Sequence, residues 1–160
     1  MGALPIWGEK IFGDMDEYGI GVIKAGGKES IKPLAKLLNS FGIRTVTIKD
    51  KDDGKDLDEY DFITNGKDFE EDLITELFDK NRKDIIFDIL AALGKCDPNS
   101  KKHFLEKNLI EKEKTIETLR NKKIKSIITG RIIGEIVPKD YIPEKFKKAL
   151  EKAKEYANAN

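Results

Sequence analysis

Between residues 19 and 49 the chain reads GIGVIKA, then GGKESIKPLAKLLNSFG, then IRTVTIK. Residues 19–25 are short, rich in branched side chains, and stop at Gly26-Gly27, the pattern of a strand running into a turn. Residues 29–41 place Ile31, Leu34, Leu37, Leu38 and Phe41 at helical spacing. Pro33 suits a first helical turn, where a missing N–H costs nothing, and Gly42 suits the position just past a helix end. Residues 43–49 are dense in β-branched side chains and predict a second strand. A third short strand is expected at 60–64 (YDFIT). Two strands joined through a helix lie parallel in one sheet with a right-handed crossover, so the class is α/β. In such sheets ligands sit beyond the carboxyl ends of the strands. That puts the Gly26-Gly27-Lys28 turn and the Asp50-Lys51-Asp52-Asp53 loop on one edge.

Downstream the pattern turns helical. Asp68 is placed to cap a helix over 69–79, with Phe69, Leu73, Ile74 and Leu77 on one face. Further helices are predicted over 80–93, 100–121 and 143–157, the last opening at Pro143. We read residues 1–80 as the α/β core and 81–160 as a mainly helical C-terminal part of the same domain. A chain of 160 residues with 39% hydrophobic content supports one such core. The single cysteine, Cys96, excludes a disulfide framework within the chain and a multi-cysteine zinc site; the single histidine, His103, excludes a histidine-rich metal site. No apolar run approaches a membrane span and no signal-peptide pattern opens the chain, so no membrane contact and a cytoplasmic location are expected. His103 and Cys96 are read as inert and structural, and Trp7 as packing.

Net charge is zero, but the charges are not evenly spread. Residues 1–100 hold 14 basic and 21 acidic side chains, and residues 101–160 hold 16 and 9. Residues 50–61 (DKDDGKDLDEYD) alone hold seven acids. Carboxylates gathered in one place and lysines in another suit a cation and a polyanion, though Lys/Glu-rich surfaces also serve solubility alone. Asp50-x-Asp52 at a strand exit can turn two carboxylates on one hard cation, and Mg²⁺ takes such oxygen ligands while keeping several waters. The same residues also read as an acidic turn bending at Gly54. An EF-hand is excluded because the loop from Asp50 is one residue short, and a Walker A loop because Val22 stands where its first glycine belongs. Glu70-Glu71-Asp72 opens the 69–79 helix, where acids complement the helix dipole; Glu70, directly after Phe69, is the candidate to face the metal edge. Lys122, Lys123, Lys125 and Arg131 bracket Ile127-Ile128; each reads as part of a basic solvated surface, or else as a group that stabilises charge near a phosphate.

The stretch GIGVIKAGGKESIKPLAKLLNSFGIRTVTIKDKDDG resembles the TOPRIM (topoisomerase–primase) domain of OLD-type nucleases, the overcoming-lysogenization-defect family. A strand ends in a Gly-Gly-Lys turn and leads into an amphipathic helix. A strand then ends in Asp50-x-Asp52, and Phe69-Glu70 opens a helix about 20 residues on. GRIIGEIVPKDYIPEKFKKAL is similar to the tail of the same domain. The resemblance implies a TOPRIM/Rossmann-like parallel sheet with flanking helices and a helical C-terminal extension. It implies Asp50 and Asp52 as the metal-binding pair, Glu70 as a later acidic ligand and Lys125 as the basic residue near the site. Gly26, Gly27 and Lys28 match the turn that shapes the site. The implied activity is cleavage of DNA phosphodiesters with Mg²⁺ or Mn²⁺; Lys28, with Lys123 and Arg131 of the basic stretch, is expected on the nucleic acid.

The pattern also departs from the family. The family's domain opens on a strand ending in Glu-Gly, with a further acid soon after, and GALPIW at 2–7 resembles the stretch just past that motif. The chain is therefore expected to lack the first strand and first acidic ligands, which leaves strand edges and apolar area exposed. A second polypeptide, or a second copy, would complete the sheet. The competing reading is a non-catalytic TOPRIM remnant that binds nucleic acid or protein. A phospho-receiver domain also gathers acids at a strand end, but no later strand supplies its phosphorylatable Asp and lysine.

Overall fold

The structure is a computed structural model and describes residues 2–51, 60–121, 123–124 and 126–159. Its helices are α1 (Ala3–Phe12), α2 (Lys28–Ser40), α3 (Phe69–Asp79), α4 (Lys83–Ala92), α5 (Lys101–Glu106), α6 (Lys112–Arg120), α7 (Ile127–Ile136) and α8 (Glu144–Asn158). Two strands, β1 (Ile48–Lys49) and β2 (Phe62–Ile63), pair in parallel with Ile48 opposite Phe62 and Lys49 opposite Ile63. The fold is thus α/β with flanking helices.

The core is built by helices. Leu73, Ile74 and Leu77 of α3, Ile86 and Ile89 of α4, Leu119 of α6 and Ile133 of α7 are buried around Trp7 of α1, which is fully enclosed. Trp7, Phe69 and Phe146 pack as a trio with ring centroids 5.3–6.0 Å apart, tying α1, α3 and α8 together at the first residue of α3. Helices α1 and α7 approach closely because Gly130 and Gly134 lack side chains. A Cβ on Gly130 would stand 2.9 Å from the Gly2 amide nitrogen, and one on Gly134 3.1 Å from the Ala3 Cα. Lys10 of α1 donates to the carbonyls of Gly134, Glu135 and Val137, placing a cation on the C-terminal end of the α7 dipole. No helix among the described residues is long and apolar enough to cross a membrane.

Several local expectations change. Residues 19–25 are not a strand: the segment has no ladder partner, it starts at Gly19 in the left-handed region, and Gly21 adds no side chain to pack. Of 43–49 only Ile48 and Lys49 join a ladder, and of 60–64 only Phe62 and Ile63. Pro33 lies in the second turn of α2 rather than the first, so it removes a helical donor there. The helix expected over 100–121 is two, α5 and α6. Asn108 stops the first with φ 52°, and the Leu109 N–H returns to the Phe104 carbonyl, a Schellman closure. The end of α2 closes in the same way at Gly42, φ 78°, with Ile43 N–H on the Leu38 carbonyl.

Candidate functional site

Asp50 leaves β1 and its carboxylate meets the start of α3. The backbone reasons are local. The ladder continues past the strands through Phe62 N–H to the Thr47 carbonyl and Thr64 N–H to the Lys49 carbonyl. Thr64 then accepts from Lys51 N–H at 2.9 Å and donates to the Gly66 carbonyl at 2.9 Å, turning the chain at the sheet edge. Asp72 reaches back and accepts from the amides of Asn65 and Gly66. Asp68 caps α3 by accepting from the Glu71 amide at 3.1 Å. The Phe69 amide, one of the donors that a helix start leaves without an intrahelical partner, donates to Asp50 Oδ1 at 3.2 Å. Asp50 therefore sits one residue from Glu70, which is 5% exposed, and both line one groove together with Gly26 and Gly27.

Five carboxylates crowd this corner, and most have assigned tasks. Arg120, the last residue of α6, donates from Nε and Nη2 to both oxygens of Asp68 at 2.7 and 2.9 Å, and from Nη2 to Glu71 Oε2 at 2.8 Å. The hydrogen bond to Asp68 is the main cause that holds its guanidinium above its ordinary pKa. Burial raises the pKa of Asp72, against the lowering effect of the Gly66 and Asn65 amides. Asp68 and Glu71 thus belong to the guanidinium and Asp72 to the loop, while Asp50 and Glu70 are the acids on the groove wall.

Of the other residues singled out by sequence, Asp52 and Lys125 lie outside the described residues. Lys28 opens α2 directly after the Gly26-Gly27 turn, and its side chain is likewise outside the description. Lys123 and Arg131 are exposed, in the turn before α7 and on α7 itself. His103 is exposed and Cys96 packs partly buried against the core. Sequence reasoning missed Arg120. Its only signal was a cation ending an amphipathic segment, which no spacing rule links to an acid 52 positions away.

Carboxylate oxygens are the donor type a hard divalent cation takes, and Mg²⁺ can be held by one or two of them with waters completing its shell. Asp50 and Glu70 are of that donor type, and both line the groove. Among the described residues no group of three or more His, Cys, Asp or Glu side chains is arranged to hold a metal ion.

Residues 2–52 match the family model for the overcoming lysogenization defect protein-like TOPRIM domain. No curated protein and no solved structure matches the chain. The matched segment contains the Gly26-Gly27-Lys28 turn, Asp50 and Asp52. Glu70 lies beyond it, and its association with Asp50 rests on the geometry.

Proposed function

We propose, from the OLD-like TOPRIM character of residues 2–52, that the chain is a divalent-metal-dependent nuclease domain acting on DNA phosphodiesters. The observation that supports this most is the hydrogen bond from the Phe69 amide to Asp50, which joins the carboxylate after β1 to the helix start that carries Glu70. In this reading Asp50, Glu70 and Asp52 hold Mg²⁺ or Mn²⁺. When bound, such an ion supplies positive charge to the phosphodiester oxygens. The chain's own groups do the rest. The Phe69 amide fixes the orientation of Asp50. Arg120 keeps Asp68 and Glu71 turned away from the groove. Lys125 stabilises charge at the phosphate, and Lys28, Lys123 and Arg131 bind the DNA backbone, whose affinity falls with salt. In this reading a second polypeptide contributes to the site, and cleavage requires that partner.

Calorimetric titration with Mn²⁺ tests the metal site. Weak binding to the wild-type chain is expected, weakened about tenfold or more in Asp50→Asn and in Glu70→Gln. Equal binding in wild type and both variants, or none in wild type, overturns the metal reading and leaves a non-catalytic binding module. Incubation of plasmid DNA with the chain and Mg²⁺ or Mn²⁺ tests the partner requirement. No cutting is expected; cutting by the chain alone that Asp50→Ala abolishes overturns it.

A further inference from the structure

The start of α7 carries two large apolar side chains that stand open to solvent, Ile127 at 64% and Ile128 at 70% exposure. The turn that carries them is held in place. Ser126 accepts from the Thr129 amide at 3.1 Å, and the Thr129 hydroxyl donates to the Ile124 carbonyl. Gly2 packs against the Ile127 carbonyl with no room for a side chain. Thr129, Gly130 and Ile133 are buried on the other side of the helix, so the two isoleucines cannot turn inward without lifting α7 off α1. Cations flank them. Arg131 lies four residues after Ile127 and three after Ile128, which puts it on their face of the helix. Lys123 stands in the turn before α7. Both cations are exposed, and neither forms an ion pair among the described residues. Ile127 also lines the groove that holds Asp50 and Glu70.

A single exposed isoleucine needs no explanation. Two adjacent ones on a held turn, between cations and beside an acidic groove, select a partner. It must carry negative charge for the cations and also offer apolar faces to the isoleucines. An anionic bilayer surface has both, yet two side chains bury little area in it, and the neighbouring Asp50 and Glu70 repel it. A DNA strand has both in sequence: phosphates for Lys123 and Arg131, base faces between them for the isoleucines, and a phosphodiester bond for the acidic groove. Isoleucine is among the side chains that proteins insert as apolar wedges between base steps. In intact duplex the insertion costs the unstacking of a step. At a fork or a gap much of that cost is already met. We infer that Ile127 and Ile128 form a wedge that enters between bases at a disrupted step, so that the DNA partner of this chain is a forked or gapped duplex rather than an intact one. The inference rests on the nuclease reading for its choice of DNA and adds to it the structure of the substrate. Ile127 and Ile128 determine specificity in it and take no part in the chemistry.

Fluorescence anisotropy with the full chain, in EDTA, tests it. The probes are a fluorescein-labelled DNA duplex and a fork of the same sequence with its far end unpaired. Wild type is expected to bind the fork about tenfold or more tightly than the duplex. With Ile127→Ala and Ile128→Ala combined, the two affinities are expected to fall within about twofold of each other, at an unchanged far-UV spectrum. Arg131→Gln is expected to weaken binding to both and to lower the salt slope by about one. 2-Aminopurine in the base pair at the fork is expected to brighten when wild type binds and not when the double variant does. Equal affinity of wild type for fork and duplex overturns the inference, as does a double variant that keeps the preference or the brightening, or an Arg131→Gln variant that binds as wild type does. Tighter binding of wild type to vesicles of phosphatidylserine and phosphatidylcholine than to the fork overturns it in favour of a membrane surface. Binding to neither DNA overturns the DNA reading as well, whereas equal binding to both overturns the wedge alone. Because EDTA removes divalent ions, these results and the Mn²⁺ titration can fail independently.

Discussion

Arg120 carries the density of charge at the start of α3. It bonds Asp68 bidentately and Glu71 through the same Nη2, and it is partly shielded from solvent. Charge-assisted bonds of this type contribute about 1.5–3 kcal/mol each when buried and less when wet. Arg120→Gln is therefore expected to lower unfolding free energy in urea by about 1–2 kcal/mol. Arg120→Lys is expected to recover only part of the loss, because an ammonium cannot reproduce the fork; full recovery would remove the bidentate bond from the explanation. Asp61 gives a pH-dependent counterpart. Burial alone would raise its pKa, but hydrogen bonds from Lys152 and from Thr47 outweigh it, and the carboxyl is held below its ordinary value. A folded pKa below the unfolded one contributes stability above the unfolded carboxylate range, about 3.9, which is lost as pH falls through the folded value. Lys152→Met is expected to move the Asp61 titration, followed by carboxyl NMR, upward and to shrink that contribution. Asp72 has the opposite sign: with its pKa raised, its contribution is full below the unfolded range and is lost as pH rises through the folded value. That Asp50 follows a strand and Glu70 lies in the first turn of a helix was legible in the sequence. Arg120 and the loop-holding Asp72 were not, because their roles come from pairing distant segments.

At the level of elements, the capping residues were the most readable part of the chain. Asp68 caps α3, Gly42 closes α2 and Pro143 precedes α8, all as local chemistry dictates. The misreadings share one cause. Asn108 can take a left-handed backbone and split a helix, but nothing in an otherwise periodic stretch says that it does. Residues 19–25 have strand composition, yet a strand exists only with a neighbour to bond. Helices α1 and α7 escaped notice because their apolar residues cover more than one stripe, and their packing is set by glycine. Gly130→Ala weighs the two effects against each other. Helix propensity favours alanine by about 1 kcal/mol. The new Cβ would meet the Gly2 backbone, 2.9 Å from its nitrogen and 3.0 Å from its Cα, and neither atom can swing aside. Overpacking of this type costs about 1–3 kcal/mol, so a net loss of stability in thermal or urea unfolding is expected. A gain would show that α1 and α7 sit farther apart.

Across the whole molecule the burial is lopsided. The full burial of Leu73, Ile74, Leu77, Ile86 and Ile89 concentrates hydrophobic stabilisation in α3 and α4. No described side chain of α2 is fully buried, and Leu37 and the adjoining Phe41 are 53% and 73% exposed. The α2 unit is joined to the rest through residues 20–27 and 41–47, and 21–25 has no ladder. Local opening free energy follows buried apolar contact, so the molecule should open in two stages. Native-state hydrogen exchange in rising denaturant checks this. Amides in the last turns of α2, at Leu37, Leu38 and Asn39, are expected to exchange through an opening whose free energy lies well below that of Leu77 and Ile89. The latter two are expected to merge with global unfolding. If α2 and α3 exchange at the same free energy and with the same denaturant dependence, residues 20–47 are held by the core as firmly as α3 is, and the two-stage picture is wrong.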